Sequence, residues 1–539
     1  MENSNSAKAR KKATEEQEQI ISAVASGDNV FVEAGAGCAK SSTLEMAAPK
    51  ISGVALAVAF NKSIAKELAP RLPPNVVCKT LSALGYGAWR LANPGVGKWE
   101  LEDRKIGKLV SETAKERKIA LSGDQWGLVR GMVEKAMAAG LVPKGAEGAA
   151  ACAGLIEDED SVWVEIGEEL GDGQSAERLV DLARDVLERS IAQARQGRIC
   201  FDDMVYCPTV LGGVWPRAGT VLVDESQDLS MLNRVMLQHC SGSAAAPARL
   251  IVVGDRRQSI YAFRGADSES MDALRGLRPE WARRELSMTF RCPKAVVARQ
   301  QAHYPGFRAF ERNAEGKVVR LGSEPEEEGT DARGWLWKDV MGELPQPGAT
   351  LAVLCRNNGP LFALAFKLLR RGVSVMMIGR DIGKGLEALS RRLASEDATP
   401  ADIVRGKVID WMEEERARLI ANGREHLCAG VSDRGECLLA VLENAEVRDA
   451  GELRAMLERL FAATVAPVVL SSIHRAKGLE WDCVVLLDPW RIPSKWAREA
   501  AKRGDKREMQ QELNLRYVAE TRTKHTLVLA DLDGFGGIG

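Results

Sequence analysis

Short, almost continuous apolar runs alternate with helical stretches along much of this chain. The first two such runs are Gly53 to Phe60 and Asn75 to Thr80. Later runs occupy residues 219–223, 249–253, 350–354, 373–378, 465–470 and 484–487. Continuous apolar strands separated by helices predict parallel sheets covered on both faces, with ligands at the carboxyl ends of the strands. A linker around Pro279 divides the runs, so we expect an α/β fold with two sheets.

In two regions the strand signal disappears and helical periodicity replaces it. The first extends from Trp89 to Arg198 and is rich in charge and alanine. The second extends over residues 381–463, where Val404, Val408 and Met412 are spaced as the buried face of a helix. We interpret both as helical inserts. Residues 1–88 and 199–279 then form one α/β unit around the insert 89–198, and residues 280–380 and 464–539 form a second unit around the insert 381–463.

Composition excludes several classes of protein. The chain has 539 residues, 45% of them hydrophobic, which is too long for a single core. It has no apolar run of about 18 residues, and its first residues lack the apolar segment of a signal peptide, so we expect a soluble, cytoplasmic protein without a membrane. The eleven cysteines include no C-x-x-C pair, which favours reduced thiols. Because the net charge is −1, a polyanion would need a local basic groove.

The stretch Phe31 to Leu44, FVEAGAGCAKSSTL, leads from an apolar strand through a loop of small residues into a helix. Such a loop lets backbone N–H groups approach phosphates at a helix N-terminus. Lys40 can reach the β- and γ-phosphates, and Ser41 can hold Mg²⁺. A glycine-rich turn before a helix remains the alternative. The loop residues predicted to bind nucleotide are Gly35, Ala36, Gly37, Cys38, Ala39, Lys40, Ser41 and Ser42.

Polar side chains also follow two later strands. Asp224 and Glu225 come directly after residues 219–223, where carboxylates are costly unless a cation or a reaction uses them. Asp224 suits Mg²⁺, and Glu225 suits a base that polarises water. After residues 249–253 come an amide, two aromatic residues and an arginine, typical of a segment that senses phosphate and stacks bases. These residues are Gln258, Tyr261, Phe263 and Arg264.

The order and wording of the segments resemble the UvrD/Rep-type superfamily 1 helicases. The distinctive runs are DESQD from Asp224, QSIYAFRG from Gln258, HRAKGLEW from His474 and RYVAETRTK from Arg516. The resemblance implies two RecA-like domains, each interrupted by a mostly helical insert, with ATP between them and single-stranded DNA across their top. It also implies 3′→5′ translocation, ATP and Mg²⁺ as cofactors, single-stranded DNA and duplex junctions as partners, and a monomer or weak oligomer.

The resemblance assigns roles to individual residues. Gln17 would contact adenine, Phe290 would stack on it, and Glu480 would contact the ribose. Gln258 would sense the γ-phosphate, and Arg291 and Arg522 would act as arginine fingers beside the catalytic Lys40 and Glu225. The residues that would contact DNA are Phe60, Asn61, Thr80, Tyr261, Phe263, Arg264 and His474.

Two features depart from the family pattern. Ala39 stands where glycine usually precedes the P-loop lysine, and a left-handed backbone there would cost about 1–2 kcal/mol. The second insert is short for the family. Two other functions stay open beside the helicase: a translocase that strips proteins from single strands with little unwinding, and a nucleotide-gated binding module that does not hydrolyse ATP.

Overall fold

A computed structural model describes residues 12–59, 61–145, 155–170, 173–243, 246–260, 269–321, 337–421, 425–444, 446–463 and 465–533. Within these residues the chain forms two six-stranded sheets in which every neighbouring pair of strands is parallel. The predicted fold class, two RecA-like parallel-sheet domains with helical inserts, is confirmed.

The first sheet contains the strand before the P-loop at its interior. Its strands, in chain order, are β1 (Val30–Ala34), β2 (Ala55–Ala59), β3 (Val76–Thr80), β4 (Thr220–Val223), β5 (Arg249–Gly254) and β6 (Ala282–Leu286). Their spatial order is β6-β1-β5-β4-β2-β3. The carboxyl ends of β1, β4 and β5 therefore lie side by side.

The second sheet repeats this design. Its strands are β7 (Lys317–Leu321), β8 (Leu351–Cys355), β9 (Val375–Met377), β10 (Val468–Ser472), β11 (Trp481–Leu487) and β12 (Thr523–Ala530). Their spatial order is β7-β12-β11-β8-β10-β9. Strands β8 and β11 are buried along most of their length, as expected for the middle of a sheet covered on both faces.

Helices cover both sheets and form both inserts. Around the first sheet and its insert they are α1 (Glu15–Ser26), α2 (Lys40–Ala47), α3 (Lys62–Leu68), α4 (Leu81–Ala92), α5 (Lys105–Glu116), α6 (Gly123–Ala138), α7 (Asp160–Glu169), α8 (Gly173–Arg195), α9 (Asp203–Val210), α10 (Met231–Cys240) and α11 (Ser270–Arg275). Later helices are α12 (Lys294–Gln300), α13 (Trp337–Gly342), α14 (Gly359–Leu369), α15 (Arg380–Leu393), α16 (Ala401–Ala421), α17 (Cys428–Leu442), α18 (Ala450–Ala462), α19 (Ile473–Ala476), α20 (Lys495–Lys502) and α21 (Arg507–Glu520). None of these helices is long and apolar enough to cross a membrane.

The two sheets share one buried apolar core. Val32 of β1 and Val253 of β5 belong to the same cluster as Leu354 of β8 and Leu486 of β11. The first insert has a core of its own, built on α5, α6 and α8. The sheets therefore pack closely against each other.

Two elements lie outside the limits expected for their domains. Strand β6 follows residue 279, yet it pairs with β1 at the edge of the first sheet, with Val30 opposite Ala282. Helix α9 follows residue 198, yet Tyr206 and Val210 belong to the core of the first insert. Strand β6 carries three consecutive charged residues, Arg283, Arg284 and Glu285, because an edge strand is partly exposed to solvent. A search for apolar runs therefore misses it.

A fully buried ion pair holds the first insert together. Lys105 Nζ of α5 lies 2.6 Å from Asp203 Oδ2 of α9, and both side chains are completely buried. The ammonium also donates to the carbonyl of Ser190 at 2.7 Å, and the carboxylate accepts the N–H of Cys200 at 2.7 Å. The second carboxylate oxygen, Asp203 Oδ1, accepts Ser190 Oγ at 3.4 Å, so both members of the pair have further hydrogen bonds. Such a pair is tolerated in a core only while both partners are present.

We expect Lys105→Met to destabilise the protein by about 3–5 kcal/mol, because the carboxylate of Asp203 would remain buried without its cation. The measurement is the free energy of unfolding from chemical denaturation. Lys108→Met is the matched control, because Lys108 is exposed and its ion pair with Glu102 should contribute less than about 1 kcal/mol. Equal stability of the two variants would contradict this prediction.

Candidate functional site

A cavity of about 270 Å³ opens between the two sheets at the carboxyl ends of the strands of the first. Side chains of the P-loop, of the segment after β4 and of the segment after β5 line one wall. The opposite wall comes from the second sheet and from the segment that connects the sheets. The predicted site residues that line the cavity are Gly37, Lys40, Ser41, Asn61, Asp224, Glu225, Gln258, Arg291 and Arg522.

The P-loop joins β1 to α2 and packs tightly on its neighbours. A Cβ atom at Gly37, where φ is 70°, would lie 2.6 Å from Arg291 Cβ, and one at Gly35 would lie 2.9 Å from the ring of Phe307. Only glycine fits at these two positions. Ala39 precedes α2 with φ 58° and ψ 38°, a left-handed conformation that an L-residue adopts at a cost. Ala39, the residue that differs from the family pattern, therefore has a strained backbone.

Lys40 begins α2 and points into a group of carboxylates. Its Nζ lies 3.4 Å from Glu225 Oε2. Burial alone would lower the pKa of Lys40, but the nearby Glu225, Asp255 and Asp224 outweigh burial and raise it. Lys40 is therefore a fixed positive charge at the position where a phosphate would arrive.

Ser41 and Asp224 form the part of the site that fits Mg²⁺. Ser41 Oγ donates to Asp224 Oδ2 at 2.9 Å. Burial, and then the neighbouring Glu225, raise the pKa of Asp224, whereas Lys40 and the hydrogen bond from Ser41 oppose the rise. Magnesium is commonly held by one or two protein oxygens together with substrate phosphates and water. Among the described residues, no group of three or more His, Cys, Asp and Glu is placed to hold a metal ion.

Glu225 is held in place by its backbone and by a hydrogen bond. Its φ is 51°, so the backbone turns sharply after β4, and its carboxylate accepts Gln227 Nε2 at 2.6 Å. Burial opposes its ionisation, but Lys40 and Lys477 outweigh burial and lower its pKa. Glu225 is therefore ionised while Asp224 beside it holds its proton more tightly. The two adjacent carboxylates have different electrostatic states, as separate roles require.

Arg522 reaches the first sheet from the end of α21. It is almost fully buried, and one guanidinium nitrogen donates to Gln258 Oε1 at 3.2 Å. Gln258 in turn donates to Asp255 Oδ2 at 2.6 Å. Burial, and then the positive charge of Arg291, lower the pKa of Arg522 to about 10. This hydrogen-bonded row connects the two sheets across the cleft.

Arg291 lies in the connection between the sheets and is paired with Glu480. Arg291 Nε donates to Glu480 Oε2 at 2.6 Å, and Lys524 Nζ lies 3.0 Å from the other carboxylate oxygen. Burial raises the pKa of Glu480, but Arg291 and Lys524 outweigh it and lower the pKa. An arginine finger and a ribose contact, the roles expected of Arg291 and Glu480, would both require this ion pair to rearrange.

The two residues expected at the adenine differ in their surroundings. Both ends of the Gln17 amide are engaged, because Oε1 accepts the N–H of Thr14 at 3.0 Å and Nε2 donates to Thr43 Oγ1 at 3.1 Å. Gln17 thus completes a capping box on α1. Phe290 is 41% exposed and lies 5.1 Å from the ring of Phe310, and its N–H donates to the carbonyl of Gly37 at 2.9 Å. An open aromatic face therefore stands directly beside the P-loop.

Four of the residues expected at DNA lie outside the described residues: Phe60, Tyr261, Phe263 and Arg264. Asn61 lies just after β2 and Thr80 is the last residue of β3. Both cap the next helices, accepting the N–H groups of Ile64 at 2.9 Å and Ala83 at 3.2 Å. His474 lies in α19, directly after β10. These three residues are at the carboxyl edges of their sheets, and their contact with DNA stays a prediction.

Two further residues complete the cleft and were not singled out in the sequence. Lys477 Nζ lies 2.7 and 2.6 Å from the two carboxylate oxygens of Asp228 and donates to the carbonyl of Gln258 at 2.5 Å. Tyr517 Oη accepts the N–H of Ala36 in the P-loop at 2.9 Å. Both side chains come from the second sheet's elements. Lys477 lies in the motif HRAKGLEW and Asp228 in the motif DESQD. The sequence therefore marked both segments, but it could not predict that these two residues contact each other.

Fold and site together define a protein of two RecA-like domains built around a P-loop. Two family models match the chain: the UvrD/REP helicase N-terminal domain over residues 100–277 and the UvrD-like helicase C-terminal domain over residues 413–532. Together they cover more than half of the chain. The protein belongs to the UvrD/Rep-type helicase family, whose members are ATP-dependent DNA helicases.

Individual relatives agree with this assignment. The chain is 25% identical to F-box DNA helicase protein 1 of Schizosaccharomyces pombe over 96% of its own length and 57% of that protein. It is 27% identical to the ATP-dependent DNA helicase UvrD2 of Mycobacterium tuberculosis over 57% of its length and 47% of the relative. F-box DNA helicase 1 of Gallus gallus is 24% identical over 96% of the chain and 49% of the relative. The chain thus spans about half the length of these relatives.

We expect Ala39→Gly to stabilise the protein by about 1 kcal/mol, because glycine adopts the left-handed conformation without the penalty of a Cβ atom. Chemical denaturation measures this difference in the free energy of unfolding. A nucleotide titration should show that the free energy of ATP binding changes by no more than the same amount. Ala48→Gly is the control: Ala48 has an ordinary right-handed backbone, so glycine should destabilise there. A change of several hundredfold in ATP affinity for Ala39→Gly would contradict the backbone explanation.

Lys477→Met should destabilise the protein by about 3–5 kcal/mol at pH 8, because Asp228 would lose its buried counter-cation. Burial already raises the pKa of Asp228 to about 6, with Lys477 opposing that rise, so the variant's carboxyl has a still higher pKa. Protonated Asp228 needs no cation. The stability difference from wild type should therefore be larger at pH 8 and shrink as the pH falls towards 6.

The control for this prediction is Lys477→Arg, which keeps the charge. Unfolding free energies of the three proteins should be compared at several pH values. A stability difference between wild type and Lys477→Met that does not depend on pH would show that the ion pair with Asp228 is not its cause.

Proposed function

We propose that this protein is an ATP-dependent DNA helicase that moves 3′→5′ along single-stranded DNA and unwinds duplex DNA at junctions. One observation carries the proposal. A single cleft collects the P-loop Lys40 and the carboxylates Asp224 and Glu225 from one sheet, and Arg522 enters it from the other. A site assembled from two sheets can change when the sheets move, which is the requirement for a nucleotide-driven motor.

Binding of the nucleotide falls to the P-loop side of the cleft. Lys40 holds the β- and γ-phosphates as a positive charge whose ammonium is already surrounded by carboxylates. Ser41 and Asp224 hold the Mg²⁺, and Mg²⁺ neutralises phosphate charge when bound. The exposed ring of Phe290 stacks on the base. Because stacking suits any base, the contacts with the phosphates supply most of the affinity for the nucleotide.

Hydrolysis falls to residues of both sheets. Glu225 is ionised and held by Gln227, so its carboxylate orients and polarises the attacking water. Gln258, Arg522 and Arg291 stabilise charge that develops on the transferring phosphoryl group. An arginine that acts in this way is worth about 10³–10⁵ in rate in related phosphoryl transfer. Catalysis therefore depends on how closely the second sheet approaches.

Coupling to DNA follows from the position of Gln258. Tyr261 and Phe263 follow it by three and five residues, so one segment connects the phosphate site with residues proposed to stack on bases. Arg522 and Lys477 both bind Gln258 from the second sheet. Loss of the γ-phosphate would alter these contacts and shift the segment together with the DNA that it holds.

A translocase that removes bound proteins from single strands and unwinds little duplex is the second candidate. The same cleft would support this function equally well. A helicase and a translocase differ in whether the moving protein meets duplex DNA or a bound protein, and not in how ATP is hydrolysed. A binding module without hydrolysis is disfavoured. Its cleft would have no need of the ionised Glu225 beside Asp224, nor of two arginines.

Duplexes with a single-stranded tail at either the 3′ or the 5′ end test the proposal. We expect wild-type protein with ATP and Mg²⁺ to displace the strand from the 3′-tailed duplex, and Lys40→Ala, which lacks the phosphate-binding ammonium, to displace neither. Lys50→Ala, on the exposed surface after α2, is the matched control and should retain activity. Unwinding from the 5′ tail alone would overturn the direction.

The same proteins separate the two candidate functions. A single-stranded oligonucleotide carrying a bound protein at one end replaces the duplex, and release of that protein is followed. Release without strand displacement on either tailed duplex would favour the translocase. Strand displacement that persists in Lys40→Ala would contradict the assignment of the P-loop.

A further inference from the structure

Three buried aromatic rings pack in a row beside the P-loop. They belong to Tyr304 and Phe307, in the segment that connects the sheets, and to Tyr517 of α21. The ring centres of Tyr304 and Phe307 are 5.4 Å apart with their planes at 19°, and those of Phe307 and Tyr517 are 6.3 Å apart. We call these three side chains the aromatic row.

The aromatic row supports the P-loop at two consecutive residues. A Cβ atom at Gly35 would lie 2.9 Å from the ring of Phe307, so the backbone of the loop rests on that ring. The N–H of Ala36 donates to Tyr517 Oη at 2.9 Å. A shift of the row would therefore shift the loop that precedes Lys40.

The other end of the aromatic row meets Arg257, in the segment after β5. The Arg257 guanidinium lies 3.6 Å from the centre of the Tyr304 ring. A cation over an aromatic face is attracted to it, and more strongly where water is excluded, as it is at the buried Tyr304. Within the described part of the chain, Nη1 of Arg257 is buried and has no hydrogen-bond partner. The position of this guanidinium therefore depends on the ring.

Tyr304 is itself fixed to the first sheet. Its Oη donates to Glu285 Oε1 of β6 at 2.7 Å, and its carbonyl accepts the N–H of Phe307 at 3.0 Å. Burial, and then the hydrogen bond to Glu285, raise the pKa of Tyr304, so the hydroxyl keeps the proton that it donates. The ring against which Arg257 packs is thus held at both its hydroxyl and its backbone.

Arg257 directly precedes Gln258, and one carboxylate holds both residues. The N–H of Arg257 donates to Asp255 Oδ1 at 3.1 Å, and Gln258 Nε2 donates to the other oxygen of that carboxylate at 2.6 Å. Gln258 lines the cavity between the sheets, whereas Arg257 does not. A change at Arg257 would thus reach the cavity through Gln258.

We propose that Arg257 is a positioning residue for ATP hydrolysis, which holds the amide of Gln258 in place relative to the P-loop by stacking on Tyr304. The inference rests on the proposed function and adds the group that sets the position of Gln258. The P-loop and the segment of Gln258 rest on the same aromatic row, so the two sides of the phosphate site keep a fixed spacing. Displacements of about 1 Å in a site of this kind can lower the rate by about a hundredfold.

The first test removes the cation and keeps an apolar stem. Arg257→Met should lower kcat for ATP hydrolysis with single-stranded DNA about tenfold, the scale of one desolvated cation–ring contact. KM for ATP should stay within about threefold, because Lys40 and the P-loop are unchanged and Gln258 acts on charge that develops during the reaction. Arg257→Lys should recover much of the rate, since an ammonium is also attracted to the ring.

The matched control is Arg275→Met. Arg275 also lies over an aromatic ring, 5.8 Å from the centre of Phe31, and is paired with Asp272. It does not line the cavity, so its removal should leave kcat unchanged. Melting temperatures of all variants are measured on the same preparations.

The second test asks whether Arg257 acts through Gln258. Gln258→Ala should lower kcat, and the double variant Arg257→Met with Gln258→Ala should be no slower than Gln258→Ala alone. A residue that only stabilises the fold would not give this result, because its effect would add to that of Gln258→Ala.

The outcomes separate this inference from the function beneath it. If wild-type protein hydrolyses no ATP with single-stranded DNA present, the proposed function and this inference both fail. If wild type hydrolyses ATP and Arg257→Met behaves like Arg275→Met, Arg257 does not position Gln258 and the proposed function stands. A double variant slower than Gln258→Ala, together with a lower melting temperature of Arg257→Met, would also overturn the inference, because Arg257 would then be purely structural.

Discussion

Buried carboxylates at the carboxyl ends of β4 and β5 must be neutralised, and much of the balancing charge comes from the opposite sheet. Asp224, Asp228 and Asp255 are each almost fully buried. Lys40 balances part of this charge from within the first sheet, whereas Lys477 reaches Asp228 from the second. An uncompensated buried charge costs several kcal/mol, so separating the sheets is costly unless water, a cation or a nucleotide takes over the balance. The relative position of the sheets is therefore linked to what occupies the cleft.

The backbone that lines the cleft is strained at two positions. Ala39 and Glu225 both have positive φ, although neither is glycine. Such residues cost about 1–3 kcal/mol each and persist only where their surroundings determine the conformation. The P-loop beside Ala39 has little free space, because a Cβ atom added at Gly35 would meet the ring of Phe307 and one added at Gly37 would meet Arg291. Ala39 directly precedes Lys40, whose Nζ lies 3.4 Å from the carboxylate of Glu225, so the two strained residues flank this ion pair.

Most interior strands could be predicted from the sequence, as could the edge strands β3 and β9, whereas the edge strands β6 and β7 and the interior strand β12 could not. Strands β2, β4, β5, β8 and β11 are buried on both faces, so their residues form continuous apolar runs. Strand β6 reads ARREL and β7 reads KVVRL, because each lies at an edge where charged side chains reach solvent. Strand β12 begins with the polar residues TKHT, the first two of which end the motif RYVAETRTK. This polar start is not typical of a buried strand, so the strand was not predicted.

The candidate site divides in the same way. Side chains that follow a strand within one sheet, such as Lys40 and Asp224, could be predicted because the strand fixes where they emerge. Pairs across the cleft could not. Lys477 and Asp228 are 249 positions apart, and Tyr517 and Ala36 are 481 apart, so no local period relates them. Gln17 shows a further ambiguity, because the position expected to contact adenine also completes a helix cap.

The segment after β5 is the place where these constraints meet. Gln258 accepts Arg522 on its side chain and Lys477 on its carbonyl, and Asn514 of α21 donates to the carbonyls of Arg256 at 3.1 Å and Ser259 at 2.9 Å. Four hydrogen bonds from the second sheet's elements therefore hold three residues of the short stretch 256–259 of the first. Because a ligand can shift an equilibrium only through contacts that differ between two states, a phosphate that draws Arg522 or Lys477 away from Gln258 changes the hold on this segment directly. Tyr261 follows Gln258 by three residues. A change of charge in the cleft therefore acts on a segment that directly precedes the residues proposed to bind DNA.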